Sequence, residues 1–104
     1  IESEAILVIN AQSATSFTSD PISMALWKHM RVLSHSADSF NGTIVVLGLL
    51  AGTEQQSGTN YKQYGAPHRI NRIEYYWNIP RLIRIAYTDR TTGTLTLWVQ
   101  GYND

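Results

Sequence analysis

RIEYYWNIPRLIRIAYT, residues 72–88, decides the fold. It sets Tyr75, Tyr76 and Trp77 side by side. Side chains of a strand alternate between its two faces, so three consecutive rings must point both ways. A half-buried strand hides one face only. The reading is therefore a strand with two covered faces: Ile73, Tyr75 and Trp77 on one side, Tyr76 with its neighbours on the other. The two sets are expected to meet different partners, namely the domain's own core and either a neighbouring subunit or an overlying loop. Pro80 has no N–H for a ladder, so it ends the strand and turns the chain into its return. Residues 81–88 then read as a second strand with Arg81, Ile83, Ile85 and Tyr87 on one side.

The return leads into the C-terminal stretch. DRTTG, residues 89–93, reads as a hairpin turn, and TLTLWVQGY follows with Leu95, Leu97 and Val99 alternating against Thr94, Thr96, Trp98 and Gln100. Strands 81–88 and 94–102 are thus expected to pair as a β-hairpin. Upstream, TIVVLGLLAG, residues 43–52, is apolar on both faces, as in a strand covered on both sides. It is about half the length of a membrane span, so membrane insertion is not expected. Gly48 marks a bulge or a close approach of another segment. Asn41-Gly42 before it is a short-range hairpin signal. AILVIN, residues 5–10, is a further strand, and the Ser- and Thr-rich residues 11–21 read as a loop closed by Asp20-Pro21. Residues 22–34 are ambiguous: Met, Ala, Leu, Lys and Arg suit a helix, but strand is preferred for residues 27–33. Residues 51–68 carry three glycines and a proline without periodicity. Loops of that length in small domains are often functional.

The spacing of these strands is that of an all-β sandwich or barrel. At 104 residues the chain is one domain with a modest core. Charged residues make up 15%, against roughly 25% in an average soluble protein, and eight basic residues balance eight acidic ones. Zero net charge favours association between copies and argues against a nucleic-acid partner, which needs a basic footprint. There is no cysteine, hence no disulfide, thiolate metal site or thiol nucleophile. A small all-β domain without staples is marginal, and oligomerisation is one remedy. No charged n-region with a small-residue cleavage site opens the chain, so a signal peptide is not expected. The start at Ile1 instead of Met is the expectation for a processed or excised piece of a longer protein.

No motif of catalysis stands out. His29, His35 and His68 have no metal-ligand spacing, and neither a metal nor another cofactor is expected. Glu54 and Glu74 form a glycosidase-like pair only by the chance that eight carboxylates allow. The serines lack a GxSxG elbow. Asn41-Gly42-Thr43 matches a glycosylation sequon, but the preferred reading is a tight turn. Arg69, Arg72, Arg81 and Arg84 would share a face if residues 69–77 and 81–88 paired. Guanidinium groups there could hold an anion or acidic sugar; a solvated face paired with Glu74 and Asp89 is preferred.

Six Tyr and three Trp outnumber two Phe. Such amphipathic rings favour interfaces and stack against sugars. Tyr61 and Tyr64, beside Asn60, Lys62 and Gln63, look like a recognition loop of rigid rings and adaptable polar groups. The equal alternative is that the two tyrosines pin a long loop to the body. With Arg69 and Trp77, the residues Asn60, Tyr61, Lys62 and Tyr64 are the candidate glycan contacts.

The succession LWKHMRVL, GTIVVLGLLAGT, a glycine-rich connection, and RIEYYWNIPRLIRIAYTDRTTGTLTLWVQGY covers about residues 26–102. In pattern it resembles the distal C-terminal domain of bacteriophage tail fibres and tailspikes. The resemblance implies an antiparallel, jelly-roll-like β-sandwich assembled as a parallel homotrimer at the end of a fibrous protein. It implies a place on the virion tail, outside the cell, and a role in locking the trimer, binding bacterial surface polysaccharide, or both. Depolymerase activity in such proteins generally resides in an upstream β-helix, so no catalytic residue is carried over and this domain is not expected to be an enzyme. The competing expectations are a monomeric or dimeric carbohydrate-binding, lectin-like module, and an accessory domain of a polysaccharide-degrading enzyme.

Overall fold

The structure, a computed structural model, describes residues 4–50 and 60–103. These residues form no α-helix. Their strands are β1 (Ile6–Gln12), β2 (Phe17–Thr18), β3 (Ile22–Ser23), β4 (His29–His35), β5 (Thr43–Leu49), β6 (Tyr61–Gln63), β7 (Ile73–Tyr76), β8 (Leu82–Thr88) and β9 (Leu95–Tyr102). They pair antiparallel into two sheets. Sheet A has the order β1-β9-β4-β7; sheet B has the order β2-β8-β5-β6, with β3 also on β8.

The period-two pattern places the core between the sheets. From sheet A come Ile9, Met30, Val32, Tyr76, Leu95, Leu97 and Val99; from sheet B come Ile44, Val46, Ile83, Ile85 and Tyr87. Each such side chain contributes roughly 1.5–3 kcal/mol by leaving water. The alternation read along β9 is observed, with Leu95, Leu97 and Val99 inward. In β8, Ile83, Ile85 and Tyr87 are wholly buried on one side as read, but Arg81, read on that side, is exposed just before the strand, and Leu82 and Ala86 on the other side are buried as well. Tyr87 is the largest fully buried side chain. Phe40 meets its ring edge-on at 5.0 Å. Its hydroxyl donates to the Ala14 carbonyl at 2.8 Å, the partner a buried phenol needs.

The pairings read from the sequence are another matter. Strands β8 and β9 are not a hairpin: β8 pairs with β5, β2 and β3, and β9 with β1 and β4. Nor do residues 69–77 pair with 81–88, since β7 lies in sheet A and β8 in sheet B. Alternation and turn residues are local signals, satisfied equally by a hairpin and by a chain that crosses between sheets. The chain crosses. Among the described strands, only β5 and β6 are neighbours both in sequence and in a sheet.

Asn41-Gly42 is no hairpin turn either, as it joins β4 of sheet A to β5 of sheet B. Neither residue has the positive φ of such a turn. Asn41 is used across the loop instead. Its side-chain oxygen accepts from the N–H groups of Thr91 (2.8 Å) and Thr92 (3.1 Å), and its amide donates to Thr91 Oγ1 at 2.6 Å.

Short pairings went unread. Phe17–Thr18 sits inside the Ser- and Thr-rich residues 11–21, and Tyr61–Gln63 pairs with Leu47–Leu49 inside the long glycine-rich segment. Two or three residues show no period. The ambiguous region resolves as strand His29–His35, two residues later than read, preceded by the short β3.

Of the three adjacent rings, Tyr76 alone enters the core; Ile73, Tyr75 and Trp77 point outward and are half exposed. The outer side of β5 is partly covered as expected: Leu49, with Tyr61 and Leu82, makes a second small buried cluster against Leu47. Gly48 marks a close approach, because a Cβ there would lie 2.6 Å from Pro80 Cγ.

Gly93, in the loop between β8 and β9, has φ +81°, and a Cβ on it would lie 2.3 Å from the Phe40 nitrogen. Both the conformation and the space demand glycine. Gly93→Ala should therefore lower the unfolding free energy by roughly 2 kcal/mol or more, read as a reduced urea midpoint at unchanged slope.

Candidate functional site

The outer face of sheet A is the unusual surface of this domain. Register aligns its side chains in rows across the strands. Leu7, Trp98, Leu33 and Ile73 form one row through all four strands. Gln100, Arg31 and Tyr75 form the next, and Tyr102 and His29 the one after. Leu7 is 49% exposed, Leu33 37% and Ile73 52%. A solvated sheet face normally carries polar residues at these positions. Here a shallow groove of about 230 Å³ is lined by Ala5, Arg31, Leu33, Ile73, Trp98 and Gln100.

At the end of this face the rings converge on Tyr102. Tyr75 stands edge-on to it at 6.2 Å and 87°, and Trp77 at 6.0 Å and 78°. His29 lies 5.4 Å from Tyr102 and meets Trp77 edge-on at 4.7 Å. The Arg31 guanidinium sits over the Tyr102 ring, 5.4 Å from its centre, and its Nε donates to Gln100 Oε1 at 2.7 Å. Trp77 is held from behind. The Asn78 N–H donates to His29 Nδ1 at 3.2 Å, and Ile79 N–H donates to the Lys28 carbonyl at 2.9 Å. The Tyr64 hydroxyl donates to the carbonyls of Trp77 and, at 3.0 Å, Asn78.

The structure scatters the remaining candidates. Tyr61 is buried on the outer side of sheet B, with the Arg84 guanidinium 4.7 Å above its ring. Tyr64 is half buried, and its ring lies 6.5 Å from that of Tyr76. Both tyrosines hold the segment to the body. Asn60 is half buried and Lys62 exposed, at the β6 edge of sheet B. Arg69 is exposed; its N–H donates to Glu74 Oε1 at 2.7 Å and its Nε lies 3.9 Å from the same oxygen. The four arginines do not share a face, because β7 and β8 belong to different sheets. Trp77 alone of the six candidates joins the ring cluster. Its partners Tyr75, Tyr102, His29 and Arg31 were not picked out, since only register brings β4, β7 and β9 together here. Glu54 lies outside the described residues. Among the described residues, no three His, Asp or Glu side chains are grouped as a metal site.

A buried chain of polar groups underlies the β7 edge. His68 Nε2 is 3.0 Å from Ser34 Oγ, and His68 Nδ1 is 3.5 Å from the Tyr76 hydroxyl and 3.9 Å from Glu74 Oε1. The residue types are those of a hydrolytic triad, but the polarity is reversed. Ser34 Oγ donates its one proton to the Arg69 carbonyl at 2.9 Å, so Nε2–H of His68 must donate to Ser34. Nδ1 is left to accept from Tyr76. Ser34 is also wholly buried, beyond the reach of a substrate. The network ties β4, the 68–70 segment and β7 together. Burial, helped by the nearby Glu74 charge, pushes the Tyr76 hydroxyl up to about 12.

No protein-family model, no curated protein and no solved structure matches this chain.

Burial pushes the His68 imidazole below its ordinary value, against the opposing pull of Glu74 and of a backbone hydrogen bond. The unfolded chain then binds more protons than the native state at pH values below about 6.5. Stability should therefore fall as pH drops through that range. His68→Gln keeps a donor for Ser34 and removes the titration. Its urea midpoint should decline less between about pH 7.5 and 5 than that of the parent, the two being compared by tryptophan fluorescence.

Proposed function

We propose that this domain is a non-enzymatic assembly and attachment module, a jelly-roll β-sandwich. In it, the outer face of sheet A packs against other copies of the chain. The observation that carries the reading is the row Leu7–Trp98–Leu33–Ile73, an apolar stripe across a whole sheet with solvent on its far side. Contiguous apolar surface of this kind marks interaction sites. Obligate interfaces look like a core cut in two.

The dimensions and the charge suit self-association. The domain measures 37 × 31 × 20 Å, and a face bounded by the longer extents can supply the roughly 800 Å² per partner of a stable interface. Balanced charge leaves little repulsion between copies. A closed cyclic trimer that turns sheet A toward its axis covers the stripe in all three subunits and leaves no open end. In the setting of a tail fibre or tailspike, such a trimer would cap the fibre tip and present the surrounding surface to the bacterium.

Sedimentation velocity at micromolar concentration should give a trimer. Ile73→Lys, at an exposed position outside the core, should shift it toward monomer with an unchanged circular dichroism spectrum. A parent protein that sediments as a clean monomer would overturn the assembly reading.

A further inference from the structure

We propose that the ring cluster at the end of sheet A, formed by Tyr75, Trp77 and Tyr102, is a carbohydrate-binding platform that takes a short pyranose oligosaccharide. The proposal rests on the attachment reading above and supplies the site and the ligand class which that reading lacks.

Two features separate this cluster from a stray exposed patch. First, two rings offer open surface to solvent: Tyr75 is 51% exposed and Trp77 56%. They lie two residues apart in the chain, and both face outward. The C–H face of a pyranose is apolar and packs on such rings, while its rim is hydroxyl. Second, the rings are already fixed. Tyr75 and Trp77 both stand edge-on to Tyr102, Trp77 is wedged against His29, and the backbone of residues 77–79 is tied to Tyr64, His29 and Lys28. Little conformational freedom remains to be lost on binding, which favours affinity from few contacts.

The platform and the proposed subunit contact are separable along the same face. Leu33 and Trp98 lie four residues along their strands from His29 and Tyr102, about 13 Å at the rise of a strand, with Tyr75 in the row between them. The apolar stripe can be covered while Tyr102 and Trp77 stay at the rim with Tyr75 on its inner side. The platform also lies on a different sheet from Lys62 at the β6 edge.

The test is an array of oligosaccharides from bacterial O-antigens and capsules, probed with the intact chain, followed by calorimetric titration of the best-retained sugar. At least one oligosaccharide should be retained. Trp77→Ala and Tyr75→Ala should each weaken binding roughly tenfold or more. Lys62→Ala should bind as the parent does. Circular dichroism and the thermal midpoint establish that each variant folds. The platform is overturned if no oligosaccharide is retained, or if binding survives Trp77→Ala in a folded protein and is lost in Lys62→Ala. Sedimentation of the same samples reads assembly separately. A trimer that binds no sugar removes the platform alone, and a monomer that binds through Trp77 removes the assembly alone.

Discussion

A two-layer sandwich has four sheet faces and one interior, and that interior can cover only two of them. In this chain the shared layer is built by Met30, Val32, Leu95, Leu97 and Val99 from one sheet against Ile44, Val46, Ile83, Ile85 and Tyr87 from the other. Every other feature follows from how that single layer is completed. Phe40 and Ala14 close on Tyr87, Gly93 lets the loop into β9 pass beside Phe40, and Gly48 lets Pro80 come down on β5. The two outer faces are left to find their own solutions. Sheet B covers part of its own with Leu49, Tyr61 and Leu82. Sheet A leaves Leu7, Leu33, Ile73, Tyr75 and Trp77 in solvent, and for that reason the functional reading is placed there.

The buried polar chain shows how residue types mislead without geometry. Ser34, His68 and Glu74 could be written as a triad. The proton of Ser34 points to the Arg69 carbonyl, so the serine accepts from the histidine instead of donating to it. What the arrangement does is fasten an edge. It satisfies a histidine and a serine inside the sheet, where an unpaired polar group would cost about 1–3 kcal/mol. Burial holds that histidine below its ordinary value.

Local geometry was legible in particular residues. The alternation of Leu95, Leu97 and Val99, and of Ile83, Ile85 and Tyr87, told which side chains enter the core. Gly48 announced a close approach, and Tyr75 with its two neighbours announced a second face. The ring cluster was legible only through Trp77. Tyr102 is twenty-five residues further along and His29 is on another strand; nothing in the spacing connects them. Asn41-Gly42 and DRTTG misled because a turn signal says that the chain reverses, and not onto which sheet it reverses.

The sequence by itself determined the class of the fold and the sidedness of its strands. Period two is a property of each strand alone, and burying one face is what it is for. Only the tertiary structure decided which strands are neighbours. Pairing joins residues far apart in the chain, such as Arg31 with both Tyr75 and Gln100, and its driving force is the joint burial of both sheets. That same non-local choice sent β8 and β9 to opposite layers. It also brought Tyr102 and His29 to Tyr75 and Trp77 at one corner of sheet A, leaving an apolar face open beside them.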